Sequence, residues 1–288
     1  MLTRSFINRN SGLFALLSLL AVLLLVACAG GATSAPPSSA TSSAASISVT
    51  LRHMPYGTAN LSWNPSNRTL MERFSLFGLS PSSTHPTQIY MGSCNSLGNV
   101  IYTLSNVVAD GHGVANTTTS TNSVPSGIPA TGWAIVVHNG PGLSTANQSL
   151  PILCAGVVNA HPSTTTTQSV HIVMNSAPRS SPSETVNGMA QLTLSGSTLT
   201  VKLTVSGLEP NSSHAVHIHT GSCASQGPVI YPLSTVTANA QGNSSTTTTI
   251  PKVTSIPSSG WYVNVHHSAN ISTQTGYDPI ACGDVIRK

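Results

Sequence analysis

Charge is what this sequence has least of. Asp, Glu, Lys and Arg make up 6% of the 288 residues, against roughly 25% in ordinary domains. Solubility therefore falls to Ser, Thr and Asn, and a weakly charged surface excludes long-range steering of an ionic substrate as a main design principle. No basic stripe or cluster occurs, which excludes a nucleic-acid partner. Aromatic residues are also few, at 5%. No segment carries a sustained helical period of apolar residues, so a helical bundle is excluded. One long hydrophobic run is present, and it is at the N-terminus.

That run, Leu13 to Val26, is interrupted only by Ser18 and preceded by Arg4 and Arg9. It is short for a membrane span and reads as a signal peptide. It ends in Leu25-Val26-Ala27-Cys28, which resembles the lipobox of bacterial lipoproteins. There the cysteine is lipidated and the leader is cut just before it. The resemblance implies an exported protein anchored through Cys28 to the extracytoplasmic face of a bacterial membrane. Ordinary signal cleavage leaving a spare thiol is the alternative. Removal of the leader takes Arg4 and Arg9 with it and lowers the formal net charge from +4 to +2. Residues 29–46, rich in Ala, Ser, Thr, Pro and Gly, read as a flexible linker.

The remainder of the chain is one domain written twice. Gly78-Leu79-Ser80-Pro81 with His85 recurs as Gly207-Leu208-Glu209-Pro210 with His214. Gly92-Ser93-Cys94 recurs as Gly221-Ser222-Cys223, and Val100-Ile101-Tyr102 as Val229-Ile230-Tyr231. Gly132-Trp133 and His138 match Gly260-Trp261 and His266, and Pro151-Ile152 with Cys154 matches Pro279-Ile280 with Cys282. The offset stays at roughly 129 residues, an ordinary single-domain length. Short alternating segments such as Gln191–Ser195 and Leu199–Val205, joined by Gly196-Ser197, have the period of strands and the turn of a hairpin. The expected fold is all-β: two tandem antiparallel Greek-key sandwiches or barrels, a first domain over 47–158 and a second over 169–288, with a Thr-rich linker over 159–168.

Five cysteines become four once Cys28 is set aside. Four cysteines allow three connectivities. Duplication of a domain duplicates its internal bridge, which favours Cys94–Cys154 and Cys223–Cys282. Disulfides fit an exported protein.

Histidine carries the chemistry. In His214-Ala-Val-His217-Ile-His219, two imidazoles stand two residues apart, on one face of a strand. His266 ends a further strand and can bring a third from across the fold. Three neutral imidazoles suit copper or zinc. The first repeat is an internal control. It keeps His85 and His138 but has Gln88 and Tyr90 where the second has His217 and His219, so its site is degenerate. His85 and His214 are kept in both copies whether or not the other ligands are, which points to a structural hydrogen-bond role. His267, matched by Asn139, is expected outside the ligand set. His53, His112, His161 and His171 have no partner pattern and are expected at the surface.

The second repeat resembles a Cu/Zn superoxide dismutase domain over nearly its whole length. The shared pieces run in the family's order: Gly207-Leu208 before His214, His217-Ile-His219, Cys223 followed by Gly227-Pro228, Gly260 before His266, and Ala281-Cys282-Gly283. The resemblance implies the Greek-key barrel, a Cys223–Cys282 bridge, copper ligation by His217, His219 and His266, and a structural role for His214. The compact Gly-Leu…His-Ile-His-x-Gly pattern is also similar to bacterial CHRD-type domains. Against the dismutase pattern, Val229 stands where the family has its bridging imidazole, the zinc loop is missing, and Pro279 (Pro151 in the first repeat) stands in place of the substrate-guiding Arg. These departures argue against zinc as a second metal and against efficient dismutation.

The expected function is an extracytoplasmic lipoprotein holding one copper ion, with superoxide dismutation left open. The alternatives are a non-catalytic copper-buffering module and a purely structural surface protein. Zinc hydrolysis would need a general base, and only Asp278 and Asp284 are near in sequence.

Overall fold

The computed structural model of the protein describes residues 44–177 and 185–287. The leader and Cys28 lie outside the described residues. The first repeat supplies β1 (Ala45–His53), β2 (Tyr56–Asn64), β3 (Thr69–Phe77), β4 (Thr84–His85), β5 (Thr87–Ser93), β6 (Ser96–Thr103), β7 (Val107–Val108), β8 (Ala115–Thr121), β9 (Trp133–His138) and β10 (Pro151–Val157). The helical turn α1 (Ala146–Ser149) precedes β10. The second repeat supplies β11 (Gln168–Ser176), β12 (Asn187–Ser195), β13 (Thr198–Ser206), β14 (Ser213–His214), β15 (Val216–Gly221), β16 (Gln226–Pro232), β17 (Val236–Thr237), β18 (Ser244–Pro251), β19 (Trp261–His266) and β20 (Pro279–Val285). Its helical turn α2 is Gln274–Tyr277. Among the described residues no helix is long and apolar enough to cross a membrane.

Two eight-stranded antiparallel sheets hold the fold, each with its own core, in agreement with the all-β tandem-domain expectation. Strand alternation does the sorting: Leu199, Val201, Leu203 and Val205 of β13 are buried and the residues between them are not. The β12–β13 hairpin closes through Gly196, whose φ of +58° is the left-handed first position of a two-residue turn.

The sheets do not follow the sequence boundaries of 47–158 and 169–288. The strand order of one sheet is β6-β5-β9-β10-β11-β2-β3-β8, and of the other β16-β15-β19-β20-β1-β12-β13-β18. The opening strand of each repeat lies in the sheet of the other. β1 pairs with β12 from Ala45↔Leu194 to Leu51↔Gly188, and β11 pairs with β2 from Gln168↔Trp63 to Met174↔Gly57. The cores are exchanged to match. Ile47, Val49 and Leu51 pack in the second cluster, and Val170, Ile172 and Met174 in the first.

The chain crosses from one sheet to the other at the connection between β1 and β2. That connection is Met54-Pro55 alone. A two-residue hairpin loop needs left-handed φ values. Proline is fixed near −65° and holds the residue before it extended. The link forms no such hairpin, and the chain runs on from one sheet into the other.

Cys94–Cys154 and Cys223–Cys282 are bonded, each within one repeat, at separations of 60 and 59 residues. Closing loops of this length stabilises the fold by roughly 4 kcal/mol each in the chain-entropy model. Two disulfides also accord with an oxidising, extracytoplasmic setting.

Burial of Ile47, Val49 and Leu51 is worth about 1.5–3 kcal/mol apiece. Deletion of residues 44–55 is therefore expected to weaken the second sheet, although the deleted strand belongs to the first repeat. Hydrogen exchange should show lost protection in β12 and β20, its neighbours, with β2 and β3 still protected. Loss confined to the first sheet would contradict the exchange.

Candidate metal centre

His217 and His219 lie on β15, and His266 ends β19 beside it. Cross-strand pairs are His217↔Asn264 and His219↔Tyr262. The residues between them, Val216, Ile218, Val263 and Val265, belong to the core. Alternation therefore turns the imidazoles to the outer face of the sheet. A bulge between Val265 and His266, opposite β20, sets the last ring, a common way of re-aiming a side chain at a site.

The three rings meet. Their centroids are 5.0 Å apart for His217–His266, and 5.6 Å for both His217–His219 and His219–His266. One nitrogen from each lies within 4.8 Å of the other two. His219 and His266 are fully buried, while His217 is half-buried and forms the solvent side.

The outer hydrogen bonds decide which nitrogen is offered. His219 Nδ1 donates to the Gly227 carbonyl at 3.0 Å, and His266 Nδ1 donates to the Tyr277 carbonyl at 2.5 Å. A carbonyl can only accept, so both rings carry their proton on Nδ1 and present an Nε2 lone pair. Among the described residues His219 Nε2, His266 Nε2 and His217 Nδ1 have no hydrogen-bond partner. A buried polar atom left so costs about 1–3 kcal/mol. Two fixed lone pairs and the His217 ring, with one nitrogen of each within 4.8 Å of the others, fit a metal ion, and the residues can hold one. Three protein ligands leave a coordination position open.

The environment keeps these rings neutral. Burial pushes the His266 pKa down to about 3 against the bond to Tyr277, and the neighbouring rings push the same way. Burial likewise pushes His219 down to about 4, opposed by its bond to Gly227 and aided by His217. Burial also lowers His217.

The first repeat keeps the scaffold without the site. Gln88, Tyr90 and His138 occupy the corresponding places and satisfy one another: Tyr90 Oη is 2.8 Å from Gln88 Oε1 and 3.2 Å from His138 Nε2. His138 Nδ1 donates to the Ser149 carbonyl at 2.8 Å, the counterpart of the His266–Tyr277 bond.

The other histidines fall outside the cluster. His214 Nδ1 donates to the His266 carbonyl at 2.9 Å and its Nε2 lies 2.6 Å from Ser212 Oγ. His85 does the same with His138 and Ser83 at 2.8 and 2.7 Å. Each ring thus fixes the backbone of His138 or His266, the histidine that its repeat brings to the site position. His267 Nδ1 donates to Thr275 and does not join the three. Asp278 accepts a bond from Ser80 through one oxygen, and Asp284 accepts from Cys223 N at 2.7 Å; neither belongs to the histidine cluster.

Sequence reasoning missed Tyr262, which stacks on His219 at 4.9 Å, and Tyr277, whose ring lies 4.6 Å from His266. It also missed Asn264, fully buried beside His217 with neither side-chain polar atom partnered among the described residues. The one available signal was the contrast between repeats, which have Ala134 and Val136 where Tyr262 and Asn264 stand.

Residues 164–273 match the CHRD domain. The CHRD span runs from the Thr-rich linker to the start of α2 and contains all three clustered histidines. Comparison with curated proteins gives no match. Among solved structures, a SOD-like protein from Bacillus subtilis is similar at 18% identity over 36% of this chain and 91% of its own, with a TM-score of 0.29.

The lowered imidazole pKa values set a pH dependence. Between about pH 6.5 and pH 3 the unfolded chain binds protons at His219 and His266 that the folded chain refuses, so stability rises with pH there. The metal-free protein is expected to hold its full stability above pH 6.5 and lose it progressively on acidification, read as a falling urea midpoint. His219→Asn should flatten part of that slope; an unchanged slope would contradict burial of a neutral ring.

Proposed function

We propose that the protein is an exported lipoprotein whose second domain binds a single copper ion through His217 Nδ1, His219 Nε2 and His266 Nε2. The observation that carries this reading is the set of three convergent, unpartnered and neutral nitrogens in a repeat that matches the CHRD domain. Imidazole donors suit copper, and copper outranks zinc in affinity for a nitrogen site. When bound, copper supplies one-electron chemistry at an open position. The chain itself holds the rings neutral, fixes two tautomers through backbone carbonyls, and leaves His217 as the face that meets solvent. With Val229, Pro279 and no zinc loop, binding and buffering of copper are favoured over efficient dismutation of superoxide.

One equivalent of copper is expected to bind, with an EPR signal of nitrogen ligation. His217→Ala should weaken binding by more than the roughly 10–100-fold typical of losing an outer partner, while Gln88→Ala leaves it unchanged. Equal effects would refute the assignment to the second repeat. Superoxide decay measured on the copper-loaded protein separates a dismutase from a binding module. The lipobox supports anchoring at Cys28, and Cys28→Ser should move the protein from the membrane fraction to the soluble one.

A further inference from the structure

The first repeat has no ligand cluster of its own, yet it touches the second at particular places. Gln226 is buried at 2% exposure, and its Nε2 donates to the Leu79 carbonyl at 2.6 Å. Its backbone is held as well: Gln226 N donates to the His112 carbonyl at 2.8 Å, and His112 Nδ1 donates to the Gln226 carbonyl at 3.0 Å. The next residue is Gly227, whose carbonyl fixes His219. Gly227 is wedged from the other side, since a Cβ there would lie 2.4 Å from the Thr220 carbonyl oxygen.

The second tie is built alike. Gln274 Nε2 donates to the carbonyls of Thr84 and Asn139, both at 2.9 Å, and Gln274 Oε1 accepts from Thr84 N at 3.2 Å. Gln274 opens the single helical turn that ends in Tyr277, whose carbonyl fixes His266. Asp278, the next residue along, bonds Ser80 of the first repeat. Both carbonyls that set a ligand tautomer are thus carried on short segments tied to the first repeat.

The glutamines that make these ties are not repeated. Where the second repeat has Gln226, Gln274 and Asp278, the first has Leu97, Ala146 and Leu150. Resting on the reading of the histidine cluster as a metal site, we propose that the first repeat is the orienting partner of the centre, holding through Gln226 and Gln274 the two carbonyls that aim His219 and His266.

The test takes its substitutions from the first repeat, whose fold carries them: Gln226→Leu and Gln274→Ala in the full chain. In the metal-free protein labelled with 15N-histidine, the parent should show two slowly exchanging Nδ1–H protons, from His219 and His266. Gln226→Leu should speed exchange at His219 alone and Gln274→Ala at His266 alone. The double variant should bind copper on the order of tenfold more weakly, the scale of an outer-shell loss. Unchanged ring exchange in the double variant overturns the proposal. So does equal loosening of both rings by each single change, which would be global destabilisation. A parent with both protected ring protons but no copper uptake would sink the metal reading, and the ring exchange would still decide the positioning role.

Discussion

Met54-Pro55 is the whole link between β1 and β2, and there the chain passes from one eight-stranded sheet into the other. β1 pairs in the second sheet and β11 takes the corresponding place in the first, so the two repeats are interlocked. Met54, at the crossing, packs with Tyr262 and the Cys223–Cys282 bridge on the histidine-bearing face. A Cβ on Gly78, in the first repeat, would lie 3.5 Å from the Cys223 carbonyl oxygen. The exchange thus brings the first repeat against the outer face on which the imidazoles stand.

That placement accounts for the electrostatics of the cluster. An outer face of a sheet is ordinarily wet, and histidines on it would titrate near their usual value. Here His219, His266, Tyr262 and Asn264 are fully buried. Desolvation is the largest cause of the lowered ring pKa values. Low dielectric strengthens the bonds to Gly227 and Tyr277 for the same reason that it makes unpartnered nitrogens costly. One physical cause keeps the rings neutral and strengthens the bonds that hold the tautomers of His219 and His266.

Much of this was legible in the sequence. Period-two alternation in Leu199–Val205 and in the His217-Ile218-His219 segment identifies strands and faces directly. His266 is placed with His217 and His219 as the end of a further strand of the same repeat and by the resemblance to the dismutase pattern. What stayed hidden is what side-chain pattern does not encode. β1 reads the same whichever sheet receives it, because Ile47, Val49 and Leu51 are apolar at alternate positions in either case. The carbonyls of Gly227 and Tyr277 are backbone atoms, and Ser149 does the same service for His138, so no residue type marks the role. The ties at Gln226 and Gln274 look like ordinary polar surface until the partner repeat is in place.

The two repeats together separate what the fold needs from what the site adds. His85 and His214 make the same bonds in both, so they belong to the fold. Gln88, Tyr90 and His138 fill the site position with a set of groups that satisfy one another. The fold therefore does not require three orphaned nitrogens in that place. Their retention at His217, His219 and His266 carries a desolvation cost that the alternative composition, present in the same chain, avoids. A cost that the fold does not require is accounted for by what those nitrogens would bind.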